Sequence, residues 1–147
     1  EIVKCEEEIF EDVTDYAGNP FKFKGYIDLV VKKGDTYHIL DWKSCSWGWD
    51  AKKKADKMIV YQLIYYKYYY ALKHGLDPNK IECHFGLLKR TAKRNEVEIF
   101  KVTSGKRRTE NAMKLLVQAL HNIDNKVYIK NRASCGMCEF KGTKHCP

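Results

Sequence analysis

Residues 26–43, YIDLVVKKGDTYHILDWK, place three charged side chains inside two otherwise apolar segments. The Gly34-Asp35 pair between these segments predicts a β-hairpin with a two-residue turn. In that register Asp28 lies across from Asp41, and side-chain alternation puts Lys43 on the same face. Charged groups seldom occupy such positions for stability, so we expect a functional site on this hairpin.

The chemistry of these residue types indicates a metal site. Two carboxylates this close repel each other unless a positive charge joins them, and oxygen ligands suit Mg²⁺ or Mn²⁺. We expect Asp28 and Asp41 to bind the metal, with the backbone carbonyl of Trp42 as a further ligand. Lys43 would orient or deprotonate a water molecule, or stabilise a developing negative charge. The alternative is a structural ion pair between Asp28 and Lys43, which seldom offsets its own desolvation when buried.

The apolar side chains of the hairpin predict where the core lies. In the first segment, the apolar residues that alternate with Asp28 are Ile27, Leu29 and Val31. Across from them in the second segment lie Leu40 and Trp42. We therefore expect the core to pack against this second face of the hairpin.

The rest of the chain predicts an α/β or α+β fold. Apolar patterns predict strands at residues 2–10, 22–31, 36–42, 81–88 and 97–102. One helix is predicted from an Asp50 cap to about residue 73, ending before Gly75, and another at residues 106–122. The first helix is apolar nearly all round, as expected of a buried central helix. This order of elements predicts a mixed central β-sheet flanked by helices.

Length and composition limit the class of protein. The 147 residues favour a single domain, in which residues 125–147 form a cysteine-containing C-terminal segment. The net charge of +8 favours a polyanionic partner. No apolar run approaches the ~18 residues of a membrane span and no signal peptide is evident, so we expect a cytoplasmic protein without a membrane partner.

Two polar residues of the first helix are expected to reach the metal edge of the hairpin. Gln62 and Tyr66 are one turn apart and share a helical face. A glutamine within an apolar helix needs a hydrogen-bond partner, and we expect the lysine of the site or a nucleotide to supply it for Gln62. Tyr66 would present its hydroxyl to a phosphate or its ring to a base, although a core position is the simpler interpretation.

The segment after the hairpin indicates contacts with DNA. Trp47 and Trp49 flank a glycine in the loop after Lys43, where exposed rings would stack on bases. The alternative is that they anchor the loop. The start of the helix carries four lysines that would contact phosphates, unless they form only a solvated face: Lys52, Lys53, Lys54 and Lys57.

The ordered set Asp28, Asp41-x-Lys43 and Gln62-x-x-x-Tyr66 resembles the PD-(D/E)XK nucleases. The glutamine-tyrosine element is similar to that of the RecB-like branch, which includes lambda-type exonucleases and the nucleases of CRISPR adaptation. The resemblance implies a restriction-endonuclease-like core and Mg²⁺- or Mn²⁺-dependent cleavage of DNA. It also implies an exonuclease that acts on DNA ends or single strands in recombination, repair or replication. A helicase or another recombination protein is a candidate partner, and a bacterial, archaeal or phage origin is expected.

The C-terminal cysteines extend the resemblance. Members of this branch carry a 4Fe-4S cluster held by one upstream cysteine and three near the C-terminus. Cys135, Cys138 and Cys146 look like the C-terminal three. The alternative is Zn²⁺, with His145 as the fourth ligand.

The chain departs from the family at its start. The family's N-terminal helix, which carries a Glu or His metal ligand, has no evident counterpart before Glu1, so we expect N-terminal sequence to be missing. Cys5 is a substitute candidate for the cluster, and Glu6 or Glu8 for the metal. Two further hypotheses follow: a catalytically impaired, nuclease-like module that binds DNA or docks a partner, and a zinc-ribbon interaction protein.

Overall fold

The computed structural model of the protein describes residues 1–129, 132–144 and 146. Five strands form one sheet in the order β1-β2-β3-β4-β5, in which β3 and β4 are parallel and the other neighbours antiparallel. The strands are β1 Ile2–Thr14, β2 Pro20–Lys33, β3 Thr36–Cys45, β4 Ile81–Lys89 and β5 Val97–Val102. The predicted fold class, a mixed central sheet with helices packed on it, is confirmed.

The helices are α1 Ala51–Lys54, α2 Lys57–His74 and α3 Lys106–Asp124, with 3-10 turns at Pro78–Lys80 and Arg132–Met137. The single helix predicted from residue 51 to 73 is therefore wrong. Two N-caps explain the break: Asp50 accepts from the backbone N of Lys53 at 2.7 Å, and Asp56 accepts from that of Met58 at 2.8 Å. An aspartate favours the extended cap position over the helix interior, so the chain starts a second helix at Asp56.

Helix α2 is the crossover that lets β3 and β4 run parallel. It packs across the sheet, and Val60, Leu63 and Ile64 are at most 1% exposed. Helix α3 packs on α2, where the Tyr65 hydroxyl donates to the carbonyl of Ala112 at 2.8 Å. The expectation of a central buried helix is thus met by α2.

The core packs only in part where the hairpin pattern predicted, since Ile27 and Leu40 are buried. Leu29, Val31 and Trp42 were expected to face it, but all three are only partly buried. Instead Val30 and its ladder partner Ile39 are fully buried under α2. The core and the acidic side chain of β3 therefore share one face of the sheet.

A change of phase in β2 causes this difference. Ile27 and Val30 are both fully buried, although strict alternation would place residues three apart on opposite faces. The change falls between these two residues, in the pair that consists of Asp28 and Leu29. Across from Asp28, Glu6 of β1 adopts a φ of +51°, a left-handed conformation that interrupts the regular strand.

Within the described residues, no helix has the length and hydropathy of a membrane span.

Candidate active site

The site forms where β2 and β3 separate. Their ladder ends at Leu29 and Leu40, one position before Asp28 and Asp41. Oδ2 of Asp28 instead accepts a hydrogen bond from the backbone N of Trp42 at 2.6 Å. Because the N–H and C=O of one strand residue point to the same side, the Trp42 carbonyl faces the gap beside Asp28 as well.

Asp41 lies at the centre of the site and is 2% exposed. Its Oδ1 accepts from Nε2 of Gln62 at 3.1 Å. Its Oδ2 is 2.6 Å from Nζ of Lys43, an ion-pair distance. Both oxygens of this buried carboxylate therefore have a polar partner, and one of these partners is a cation. An ionised carboxylate has about four acceptor positions, so Asp41 can contact Lys43 and bind a metal ion as well.

The electrostatics of Asp41 also favour an added cation. Burial raises the pKa of Asp41, the ammonium of Lys43 opposes this rise, and the charge of Asp28 adds to it. A second positive charge would favour the ionised form of Asp41. Two carboxylates and a nearby carbonyl are the donor set of a hard divalent cation. The residues present therefore fit such an ion.

Helix α2 brings Gln62 and Tyr66 to this site. The Gln62 amide donates to Asp41 and also to the Tyr66 hydroxyl, each at 3.1 Å. The sequence predicted Lys43 or a nucleotide as the partner of Gln62, whereas in the structure its partner is Asp41. Gln62 thus links the buried carboxylate to Tyr66, which is itself 7% exposed.

Two glycines shape the site, and the sequence analysis missed both. A Cβ on Gly25 of β2 would lie 2.6 Å from Cε1 of Tyr66, and one on Gly86 of β4 would lie 2.2 Å from Cε3 of Trp42. Both separations are too short for any side chain at these glycines. A lone glycine within a strand pattern is a signal of such close approach and would have indicated both positions.

The predicted DNA-contacting lysines lie in and near α1. Lys52, Lys53 and Lys57 are exposed. Lys54 is half-buried, forms an ion pair with Glu98, and places its Nζ 5.0 Å from the ring of Phe100. Lys54 therefore has intramolecular partners, and Nζ of Lys53 lies 4.9 Å from the ring of Trp49. All three exposed lysines keep their charge at the surface.

The two tryptophans of the loop after β3 differ in their exposure to solvent. Trp47 is 76% exposed, whereas Trp49 is partly buried against Phe85 and Phe100, at centroid distances of 5.4 and 6.2 Å. Trp49 thus anchors the loop on the sheet. The expectation of base stacking rests on Trp47.

The predicted cluster ligands lie at the end of the chain, away from the hairpin in sequence. Cys135, Cys138 and Cys146 are free thiols. The structure does not gather them with other ligands into a compact group among the described residues, and His145 lies outside those residues.

The substitute ligands in β1 are exposed. Cys5 and Glu6 face solvent, and Glu8 accepts a hydrogen bond from the Tyr26 hydroxyl at 3.0 Å. None of these contacts joins β1 to Asp41. The fourth cluster ligand and a further acidic metal ligand therefore stay predictions without an assigned residue.

Comparison with known proteins gives a family. A sequence model described as the PD-(D/E)XK nuclease superfamily matches residues 1–143. No curated protein gives a significant match. A solved structure titled "Crystal structure of SSO0001" aligns with a TM-score of 0.60 at 13% identity, covering 93% of this chain and 57% of that one. At this identity the likeness shows a shared fold alone, and this chain spans little more than half of that chain's length.

Proposed function

We propose, since this chain belongs to the PD-(D/E)XK nuclease superfamily, that it is a Mg²⁺- or Mn²⁺-dependent deoxyribonuclease. The observation that carries the proposal is the environment of Asp41. This carboxylate is buried, accepts from Gln62, lies 2.6 Å from the ammonium of Lys43, and lies beside the charge of Asp28. A buried carboxylate whose pKa is raised by desolvation and by a neighbouring carboxylate is typical of a functional site.

The metal ligands we propose are Asp28, Asp41 and the backbone carbonyl of Trp42. A divalent cation held by them would supply the charge neutralisation and the acidified water that phosphodiester hydrolysis requires. The bond from the Trp42 N–H fixes one oxygen of Asp28, so its carboxylate is oriented before any ion binds. Pre-orientation of ligands lowers the entropic cost of assembling the site.

Lys43 is the proposed catalytic cation. Its side chain is 33% exposed, so the ammonium contacts both Asp41 and the solvent from which substrate arrives. From this position it would orient the attacking water and neutralise the charge that develops on the phosphate. An ammonium is suited to this role because its three donors can rotate between partners.

Gln62 and Tyr66 are proposed to position the site. Gln62 holds one Asp41 oxygen, so the other oxygen, which contacts Lys43, is the one that would also bind the metal. Tyr66 accepts from the same amide. At 7% exposure the ring of Tyr66 offers no open face to a base, so its hydroxyl is the part that would meet a phosphate.

The proposed substrate is DNA with an end or a single-stranded segment, in recombination, repair or replication. The support is the net charge of +8, the exposed lysines 52, 53 and 57, and the exposed ring of Trp47 after the Asp-x-Lys strand. Phosphates would bind the lysines and an unpaired base would stack on Trp47. An exonuclease of the RecB-like branch is the finer form of this proposal, with a helicase or another recombination protein as its partner.

The C-terminal thiols are proposed as ligands of a 4Fe-4S cluster, with Zn²⁺ as the alternative. The support is their spacing, Cys135-x-x-Cys138 followed by Cys146. Anaerobic purification followed by iron, sulfide and zinc analysis separates the two cofactors. Preparations that contain neither iron nor zinc would contradict both assignments.

The deciding experiment is a cleavage assay on end-labelled linear DNA and on covalently closed circles. The wild type is expected to degrade linear DNA in the presence of Mg²⁺ or Mn²⁺, and EDTA should stop this cleavage. If the enzyme is an exonuclease, the closed circles stay intact. Asp41→Asn should lower the cleavage rate by at least about 100-fold, because it removes a charged ligand and several kcal/mol of transition-state stabilisation.

Asp35→Asn is the matched control. It makes the same change in the same hairpin, at an exposed turn residue distant from Asp41, and should leave the rate unaltered. Equal cleavage by Asp41→Asn would overturn the proposal. Tight DNA binding by a wild type that never cleaves would identify the impaired, DNA-binding module instead.

A further inference from the structure

Three side chains with metal-binding chemistry meet on the face of the sheet opposite to Asp41. His38 lies on β3, and its ladder partner Glu82 and the nearby His84 lie on β4. Residues 39 and 41 of β3 and 83 and 85 of β4 face α2, so alternation turns residues 38, 82 and 84 to the other side. This cluster is therefore separate from the proposed nuclease site.

The ligand atoms already have the spacing of a metal site. Nδ1 of His38 is 3.1 Å from Nε2 of His84, and these nitrogens are 3.7 and 3.6 Å from Oε2 of Glu82. Ligands bound to Zn²⁺ at 2.0–2.2 Å in a tetrahedron lie about 3.3 Å apart. The three atoms thus mark one triangular face of such a tetrahedron, and we propose that they bind Zn²⁺.

A second contact orients the carboxylate of the cluster. Oε1 of Glu82 accepts from Nζ of Lys101 on β5 at 2.5 Å, which leaves Oε2 directed at the two imidazoles. Outer partners of this kind hold ligands in place before the metal binds. The ligands are partly shielded from solvent, with side-chain exposures of 23% for His38, 16% for His84 and 31% for Glu82. A water molecule would be the fourth ligand of the tetrahedron.

The donor set selects the ion. Imidazole nitrogens favour zinc and its neighbours in the transition series, whereas carboxylate and carbonyl oxygens favour Mg²⁺ and Mn²⁺. The two faces of the sheet are therefore built for different metals. Because the ligands come from β3 and β4, bound Zn²⁺ would also join the parallel strand pair and raise the stability of the fold.

Co²⁺ provides a spectroscopic probe that separates this site from the others. Added to the full chain in excess Mg²⁺, one equivalent of Co²⁺ is expected to give the intense visible absorption of tetrahedral coordination. Nitrogen and oxygen ligands give no thiolate-to-metal charge-transfer band, whereas Cys135, Cys138 and Cys146 would. Zn²⁺ should displace the Co²⁺ and abolish the absorption.

Single substitutions test the ligands. His84→Gln and His38→Gln should each lose the absorption and weaken Zn²⁺ binding by at least about 100-fold, the upper end of what outer-sphere changes cost. His121→Gln is the matched control, since His121 also lies near a carboxylate, that of Asp15 at 3.5 Å, but lacks a second imidazole. Zn²⁺ should raise the Tm of the wild type and of His121→Gln, but not that of His38→Gln.

Several outcomes would overturn the inference. These are absorption that survives in both ligand variants, a spectrum that contains only a thiolate band, and the absence of Zn²⁺ uptake by the wild type. In each case the three residues form only a hydrogen-bonded polar group. Asp41→Asn should retain the Co²⁺ spectrum, so failure of the nuclease proposal and failure of this site are distinguishable.

Discussion

At the scale of single residues, the site depends on how one amide and one glycine are placed. Gln62 donates to both Asp41 and Tyr66, so the position of the Tyr66 hydroxyl influences the carboxylate through a single side chain. Tyr66 in turn lies directly on the backbone of Gly25. Because Gly25 of β2 has no side chain, Tyr66 can lie where it contacts Gln62, and Gln62 in turn holds Asp41 of β3.

Gly25→Ala is expected to disturb this arrangement. The new Cβ would lie 2.6 Å from Cε1 of Tyr66, so the ring must move and its contact with Gln62 is lost. Overpacking of this kind costs about 1–3 kcal/mol of stability, and displacement of a site residue lowers the cleavage rate by about 10- to 100-fold. Urea unfolding and the linear-DNA assay measure the two effects.

Gly105→Ala is the control for this change. No described atom lies within 4 Å of the Cβ it would add, so the cleavage rate should stay at the wild-type value. A Gly25→Ala protein as active as the wild type would show that the position of Tyr66 has no influence on the site.

At the scale of secondary-structure elements, the edge strand β1 is attached to the end of α2. Glu7 of β1 is 7% exposed, and its Oε1 lies 2.7 Å from Nζ of Lys73 and 3.0 Å from Nε2 of His74. Positive side chains in the last turn of a helix also interact favourably with its dipole. The carboxylate therefore fixes the far end of the helix that carries Gln62 and Tyr66.

Stability at low pH reports on this attachment. Burial alone would raise the pKa of Glu7, but hydrogen bonds and charges from Lys73 and His74 outweigh it and lower the pKa below its ordinary 4.5. The ionised group thus stabilises the fold above pH 4.5, and this contribution is lost as the pH falls through the lowered pKa. Glu7→Gln should lower the unfolding free energy at pH 7 by about 1.5–3 kcal/mol, the value of hydrogen bonds to charged groups.

Urea titrations from pH 7 to pH 3 test this expectation. The difference between Glu7→Gln and the wild type should shrink as the pH falls from 4.5 through the lowered pKa, because the unfolded chain takes up the proton first and the folded carboxyl follows. Glu110→Gln, at an exposed position of α3, should match the wild type at every pH. A constant difference for Glu7→Gln across this range would contradict the ion-pair explanation.

At the scale of the whole molecule, charge and fold together set the proposed DNA path. The site lies where β3 leaves the ladder, and the exposed lysines of α1 and of the start of α2 follow it in the chain. The hairpin turn and the start of β4 lie at the other end of the sheet, since Tyr37 pairs with Ile81 there. A net charge of +8 makes binding to a polyanion salt-dependent wherever the contact occurs.

Two double variants of equal charge test the location of this path. Lys53→Gln with Lys57→Gln should weaken DNA binding and reduce the slope of log affinity against log salt by about 2, near 1 for each lost phosphate contact. Lys33→Gln with Lys80→Gln changes exposed lysines at the opposite end of the sheet and should leave the slope near that of the wild type. DNA affinity is measured by fluorescence anisotropy, with Asp41→Asn added to each protein so that the DNA is not cleaved. Equal salt slopes for the two double variants would refute this location.

The sequence by itself determined the hairpin, its acidic residues, the apolar helix and the mixed sheet. Each follows from a local signal: a Gly34-Asp35 turn, alternation with period two, or an apolar run limited by caps. The same local logic failed at Asp28 and Leu29, where β2 changes phase, because alternation carries no information about where a strand is interrupted. It also failed at Asp56, whose side chain starts a second helix.

Only the tertiary structure decided which groups meet. Asp41 is the partner of Gln62 because α2 crosses above β3, and Gly25 is required because Tyr66 packs on β2. His38 reaches Glu82 and His84 only through the parallel pairing of β3 and β4, which lie on either side of that crossover in the chain. The physical reason is that such pairings depend on how the crossover helix packs on the sheet, and the periodicity of a single segment does not contain that information.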